Sequence, residues 1–189
     1  MKRFFAFTLT ILTVLCLASC SVPAKNRSSR KNGLNEAFSA SVTIVLDKLN
    51  AEGTVKRFGD GMWEIEFDSP NTLSGVVLKF SEGNIEASYK GLSFSVPQTA
   101  YPVKAAMLNL MDAVDSNARL SELKGEEKDD ALVVNGKLKA GEYVLTVDKN
   151  GQLSGFSMDS FKLDMRFSDV APIGGEADST APTSEPASE

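Results

Sequence analysis

Trp63-Glu64-Ile65-Glu66-Phe67-Asp68 alternates strictly between apolar and charged residues. Successive side chains of a strand point to opposite faces, so Trp63, Ile65 and Phe67 share one face and the glutamates the other. Such a strand belongs to a sheet that is buried on one side and wet on the other. The same period recurs outward in both directions. Upstream, Ala40, Val42, Ile44 and Leu46 share a face, residues 50–58 form a weaker strand, and Gly59-Asp60-Gly61 supplies a turn. Downstream, Val76, Leu78 and Phe80 are followed by Ile85, Ala87 and Tyr89, then by Leu92, Phe94 and Val96. Glu82-Gly83-Asn84 and Gly91 separate these runs. Further on come residues 131–138, then Tyr143, Leu145 and Val147, then residues 152–158. Phe161, Leu163, Met165 and Phe167 close the series. Asp148-Lys149-Asn150-Gly151 carries the composition of a tight hairpin.

One segment changes period. Pro102 suits the first residue of a helix, and Val103, Met107, Leu110 and Val114 then recur at helical spacing, with Ala106 and Met111 beside them. The spacing predicts a helix over 102–116. The fold class is therefore α+β and mostly β. About ten strands make a single curved antiparallel sheet, a half-barrel, with one amphipathic helix covering its concave face. A one-sided sheet cannot bury its apolar face alone, and the helix is the obvious cover.

The ends of the chain read differently. Met1-Lys2-Arg3 precedes a short uncharged run from Phe4 to Leu17, and Leu17-Ala18-Ser19-Cys20 closes it. The run is shorter than the roughly 20 residues that a spanning helix needs and suits the core of a signal peptide. The box looks like that of a bacterial lipoprotein, with Cys20 the lipid attachment site. Residues 1–19 are then a lipoprotein signal peptide, and 20–33 a lipidated anchor and basic tether containing Lys25, Arg27, Arg30 and Lys31. Residues 34–173 form the domain, and 174–189 an acidic tail that should be disordered. Several acyl chains of the palmitate type would anchor the protein stably where one would not. The expected location is the extracytoplasmic face of a cell membrane, or an outer membrane if the host has one. Without residues 1–19 the count is 18 basic against 25 acidic residues, a net of −7, which speaks against nucleic-acid binding.

Catalytic chemistry finds little to use. The chain has no histidine, which removes the commonest general base and zinc ligand. Ser121-Glu122-Leu123-Lys124 matches a Ser-x-x-Lys pattern without its Ser-Asp-Asn and Lys-Thr-Gly companions. Glu64 and Glu66 lie about 6.6 Å apart along their strand, but they share the solvent face. Glu126, Glu127, Asp129 and Asp130, in a charged stretch around Gly125 that reads as a loop, lack the spacing of a calcium site. No catalytic residue, metal or cofactor is expected, and an enzyme is not. The feature that remains is the apolar inventory of the concave face: Trp63, Phe67, Phe80, Tyr89, Phe94, Met107, Leu110, Met111, Phe161, Met165 and Phe167. It is either a filled core or a cavity suited to an acyl chain.

The order of elements, the run Trp63 to Pro70, Gly75-Val76-Val77-Leu78, and Tyr89-Lys90-Gly91-Leu92 before the helix resemble the lipoprotein-carrier superfamily. That group holds the periplasmic Lol carrier, its outer-membrane receptor and mycobacterial lipid-carrier lipoproteins. The resemblance spans 38–170. It implies a non-enzymatic binding module for an apolar ligand. The domain is also similar to the germination-specific lipoproteins of spore formers, which implies instead a lipoprotein that supports a cell-wall amidase and holds no internal ligand. Either could associate through an edge strand such as 161–167 or 40–46.

Overall fold

The computed structural model describes residues 27–95 and 102–173. The expected signal peptide, Cys20 and the acidic tail lie outside the described residues. Twelve strands form one antiparallel sheet. They are β1 (Arg27–Lys31), β2 (Phe38–Leu46), β3 (Leu49–Gly59), β4 (Met62–Ser69), β5 (Val76–Ser81), β6 (Asn84–Tyr89), β7 (Leu92–Ser95), β8 (Glu122–Lys128), β9 (Ala131–Leu138), β10 (Gly141–Val147), β11 (Leu153–Met158) and β12 (Leu163–Pro172). The single helix of the described residues, α1, spans Pro102–Ala118 between β7 and β8. The spatial order is β1-β8-β9-β10-β11-β12-β2-β3-β4-β5-β6-β7. The sheet runs from β1 to β7 without closing, which is the half-barrel expected from the sequence.

Alternation is what builds it. In β2 the buried positions Phe38, Ala40, Val42, Ile44 and Leu46 interleave with Ser39, Ser41, Thr43 and Val45. In β4 Trp63, Ile65 and Phe67 are buried, and in β12 Leu163, Met165 and Phe167. These residues join Met107, Leu110, Ala113 and Val114 of α1 in one apolar core. Hydrophobic burial of this kind, at about 25 cal/mol per Å² of apolar surface, is the main force curling the sheet around the helix. On the wet face charges alternate across strands. Glu64 lies opposite both Lys56 and Lys79, with their ammonium groups 3.1 and 3.5 Å from its carboxylate. The hairpin expected at Asp148 forms: its Oδ1 accepts the N–H groups of Asn150 at 2.8 Å and Gln152 at 2.9 Å, and Gly151 takes φ 79°.

Three expectations are corrected. The charged stretch after the helix is not a loop, because residues 122–128 are strand β8, paired with both β1 and β9. The tether does not reach residue 33. Arg27–Lys31 pairs with β8, and Asn32 and Leu34 are buried. The strands proposed as free edges are central: β12 lies between β11 and β2, and β2 between β12 and β3. The edges of the sheet are β1 and β7.

Candidate functional site

Helix α1 crosses the concave face, and its two ends meet different surroundings. At its carboxyl end Asp115 is buried and fully engaged. Its Oδ1 accepts the Arg57 Nε–H at 2.8 Å. Its Oδ2 accepts the Gly61 N–H at 2.9 Å and the Trp63 indole N–H at 3.2 Å. Arg57 comes from β3, at an inward position that alternation would give to an apolar side chain. Its guanidinium lies 5.8 Å from the centroid of the Trp63 ring and donates to the Glu36 carbonyl at 3.4 Å. Phe38 meets the same indole edge-on, with centroids 5.8 Å apart. The left-handed φ of Gly61, 68°, turns its N–H toward the helix. The β3–β4 turn and the helix are thus tied by one buried ion pair whose remaining lone pairs are satisfied, the condition under which such a pair is tolerated.

The last carbonyls of α1, which no helical N–H can reach, are taken by Asn32. Its Nδ2 lies 2.9 Å from the Asn117 oxygen and 2.6 Å from that of Leu120. Its Oδ1 accepts the Leu34 N–H at 3.0 Å. Asn117 donates to the Ala113 carbonyl and to the Tyr143 hydroxyl, each at 2.8 Å. The Tyr143 ring lies across Gly136 of the neighbouring strand, where a β-carbon would come within 2.2 Å of it.

The amino end of α1 is different. Lys104, in the first turn, is only 1% exposed, and its ammonium has no hydrogen-bond partner among the described residues. Burial pushes its pKa down. Beside it Ala105 lines an apolar cavity of about 550 Å³, together with Leu46, Asp47, Lys48 and Leu49 of the β2–β3 turn, and Ser160 and Phe161. Asp47 there is bonded to the Lys162 ammonium at 2.7 Å.

The expected lining residues fall into several groups. Trp63, Phe67, Phe80, Met107, Leu110, Met111, Met165 and Phe167 are buried together between sheet and helix. Phe161 lines the cavity by the helix amino end. Tyr89 shares the inward parity of Ile85 and Ala87 yet is 41% exposed, near the β7 edge, with the Lys90 ammonium 5.1 Å from its ring centroid. The Phe94 side chain lies outside the described residues. Of the acid pair on β4, Glu64 faces the lysines of the wet side and Glu66 is exposed. Ser121 is exposed and Lys124 is paired with Glu122 at 3.0 Å. Among the described residues no three acidic, cysteine or histidine side chains are grouped to hold a metal, and no helix is long and apolar enough to cross a membrane. Arg57, Asp115, Asn32, Asn117 and Lys104 were not picked out by sequence reasoning. The available signal was a polar residue at an inward position, such as Arg57 two residues after Val55 or Lys104 beside Val103.

No family model and no curated protein matches the chain. Solved structures do. A DUF1329 family protein from Desulfovibrio piger is 15% identical, with a TM-score of 0.40, covering 76% of this chain and 88% of its own. A LolA superfamily protein from Nitrosomonas europaea is 9% identical, with a TM-score of 0.35 and coverage of 74% and 87%. A domain assigned to outer membrane lipoprotein sorting from Vibrio parahaemolyticus is 10% identical, with a TM-score of 0.39 and coverage of 78% and 89%.

Proposed function

We propose that this protein is a membrane-anchored envelope lipoprotein, tethered through Cys20, and that its half-barrel is a non-enzymatic binding module for an apolar, acyl-type ligand. The observation that carries this reading is the apolar cavity of about 550 Å³ at the amino end of α1, within the 300–1,000 Å³ or so typical of ligand sites. It opens beside the seam between helix and sheet. Met107 and Met111 on the helix and Met165 on β12 border that seam, and methionine adapts its shape to irregular apolar partners. The polar clamp at the other end of α1 fixes the helix while the seam accommodates a chain.

Native mass spectrometry of the full chain purified from membranes tests this. The expected result is an adduct of lipid mass that extraction with organic solvent removes, distinct from the covalent anchor. A chain carrying only its anchor, and taking up no added fatty acid or alcohol, would contradict it. That outcome would favour the alternative, an interaction lipoprotein that supports a cell-wall amidase. The exposed Phe58 and Met62 beside the β3–β4 turn support that alternative as a contact surface.

A further inference from the structure

We propose that Lys104 is the counter-charge for an anionic head group, so that the ligand of the half-barrel is an anionic single-chain amphiphile rather than a neutral lipid. This rests on the apolar-ligand reading and narrows it.

Lysine is almost never fully buried without a partner, because its charge must then be left unsolvated or given up. Here the ammonium is enclosed, with no hydrogen-bond partner among the described residues. The other buried polar side chains of α1 are all engaged: Asn109 donates to the Ala105 carbonyl at 2.9 Å, Asp115 holds Arg57, and Asn117 holds Tyr143. The position compounds the cost. Lys104 stands in the first turn of a 17-residue helix that has no acidic residue there, at the end where the helix dipole is already positive. Two positive sources thus meet without an anion. The nearby carboxylate of the cavity, Asp47, is bonded to Lys162. An incoming carboxylate or phosphate would supply the missing charge-assisted bond, with its chain entering the apolar cavity that Ala105, Leu46, Leu49 and Phe161 line.

The test compares palmitate with hexadecanol, which has the same chain length and no charge. Each is titrated into the full chain produced with Cys20→Ala so that no anchor lipid is attached. Palmitate should bind about tenfold or more tightly than hexadecanol, the scale of one charge-assisted contact. In Lys104→Met that ratio should fall to about one, and Lys104→Arg, which keeps the charge, should restore a preference. If both lipids bind the parent chain equally, or Lys104→Met keeps the preference, this inference is overturned while the apolar-ligand reading stands. If neither lipid binds, both fall.

Discussion

The two ends of helix α1 carry charges placed against its dipole, and only one of them is compensated. Asp115, in the last turn, would be repelled by the negative carboxyl end, but Arg57, Gly61 and Trp63 together hold it. Lys104, in the first turn, faces the positive end and has no such company. Each misplacement costs about 0.3–1 kcal/mol on its own. At one end the cost is absorbed by a network that fixes the helix to the sheet. At the other it remains open, beside an apolar cavity. A fold that satisfies one buried charge this fully and leaves another unpaired marks the unpaired one as a place for something from outside.

Breaking the satisfied end should have the largest effect. Asp115→Ala strands Arg57 as a buried cation, so chemical denaturation should show a loss of about 3–5 kcal/mol. The double change Arg57→Met with Asp115→Ala should recover part of that loss. Asn32→Ala should cost less, about 1–3 kcal/mol, because it leaves carbonyls of the last helical turn without a donor. At the other end the sign reverses. Lys104→Met removes a buried amine without a partner and should raise the unfolding midpoint of the ligand-free protein. The pH dependence follows from the same residue. Burial is the sole cause lowering the Lys104 pKa below 10.5. Between its folded value and 10.5 the unfolded chain therefore holds more protons, so stability rises with pH across that window. Denaturation curves at a series of alkaline pH values should show this rise in the parent chain and its absence in Lys104→Met. The smallest effect belongs to Arg119→Ala. Its pair with Asp60 is 2.7 Å long but exposed on both sides, and no measurable change in midpoint is expected.

Most of the fold was legible because burial on one face writes itself as period two, and the helix as period 3.6. Trp63 to Phe67 and Phe38 to Leu46 carry that signal over their whole length. Strands β1 and β8 do not. Arg27–Lys31 has no apolar residue, and Glu122–Lys128 buries only Leu123. Their pairing joins residues nearly a hundred positions apart, so nothing local announces it. Tyr89 has the inward parity that alternation assigns, yet it lies near the sheet edge, where parity does not secure burial. The polar residues at the two helix ends escaped for a related reason. An inward Arg57 or Lys104 reads locally as a flaw in an apolar pattern, and only the tertiary structure shows that one has a partner and the other has none.

The most direct measurement uses Trp63, the one tryptophan of the chain. It is bonded to Asp115 at the far end of the helix from Lys104, about 16 Å away along an axis that rises 1.5 Å per residue. An acyl chain spans about half of a 30 Å hydrocarbon core, close to the same length. With its head at Lys104, palmitate brominated at the chain end should quench Trp63 fluorescence strongly, and palmitate brominated beside the carboxylate should not. Equal quenching by the two, or none from either at saturating concentration, would contradict a chain held along the helix with its head at Lys104.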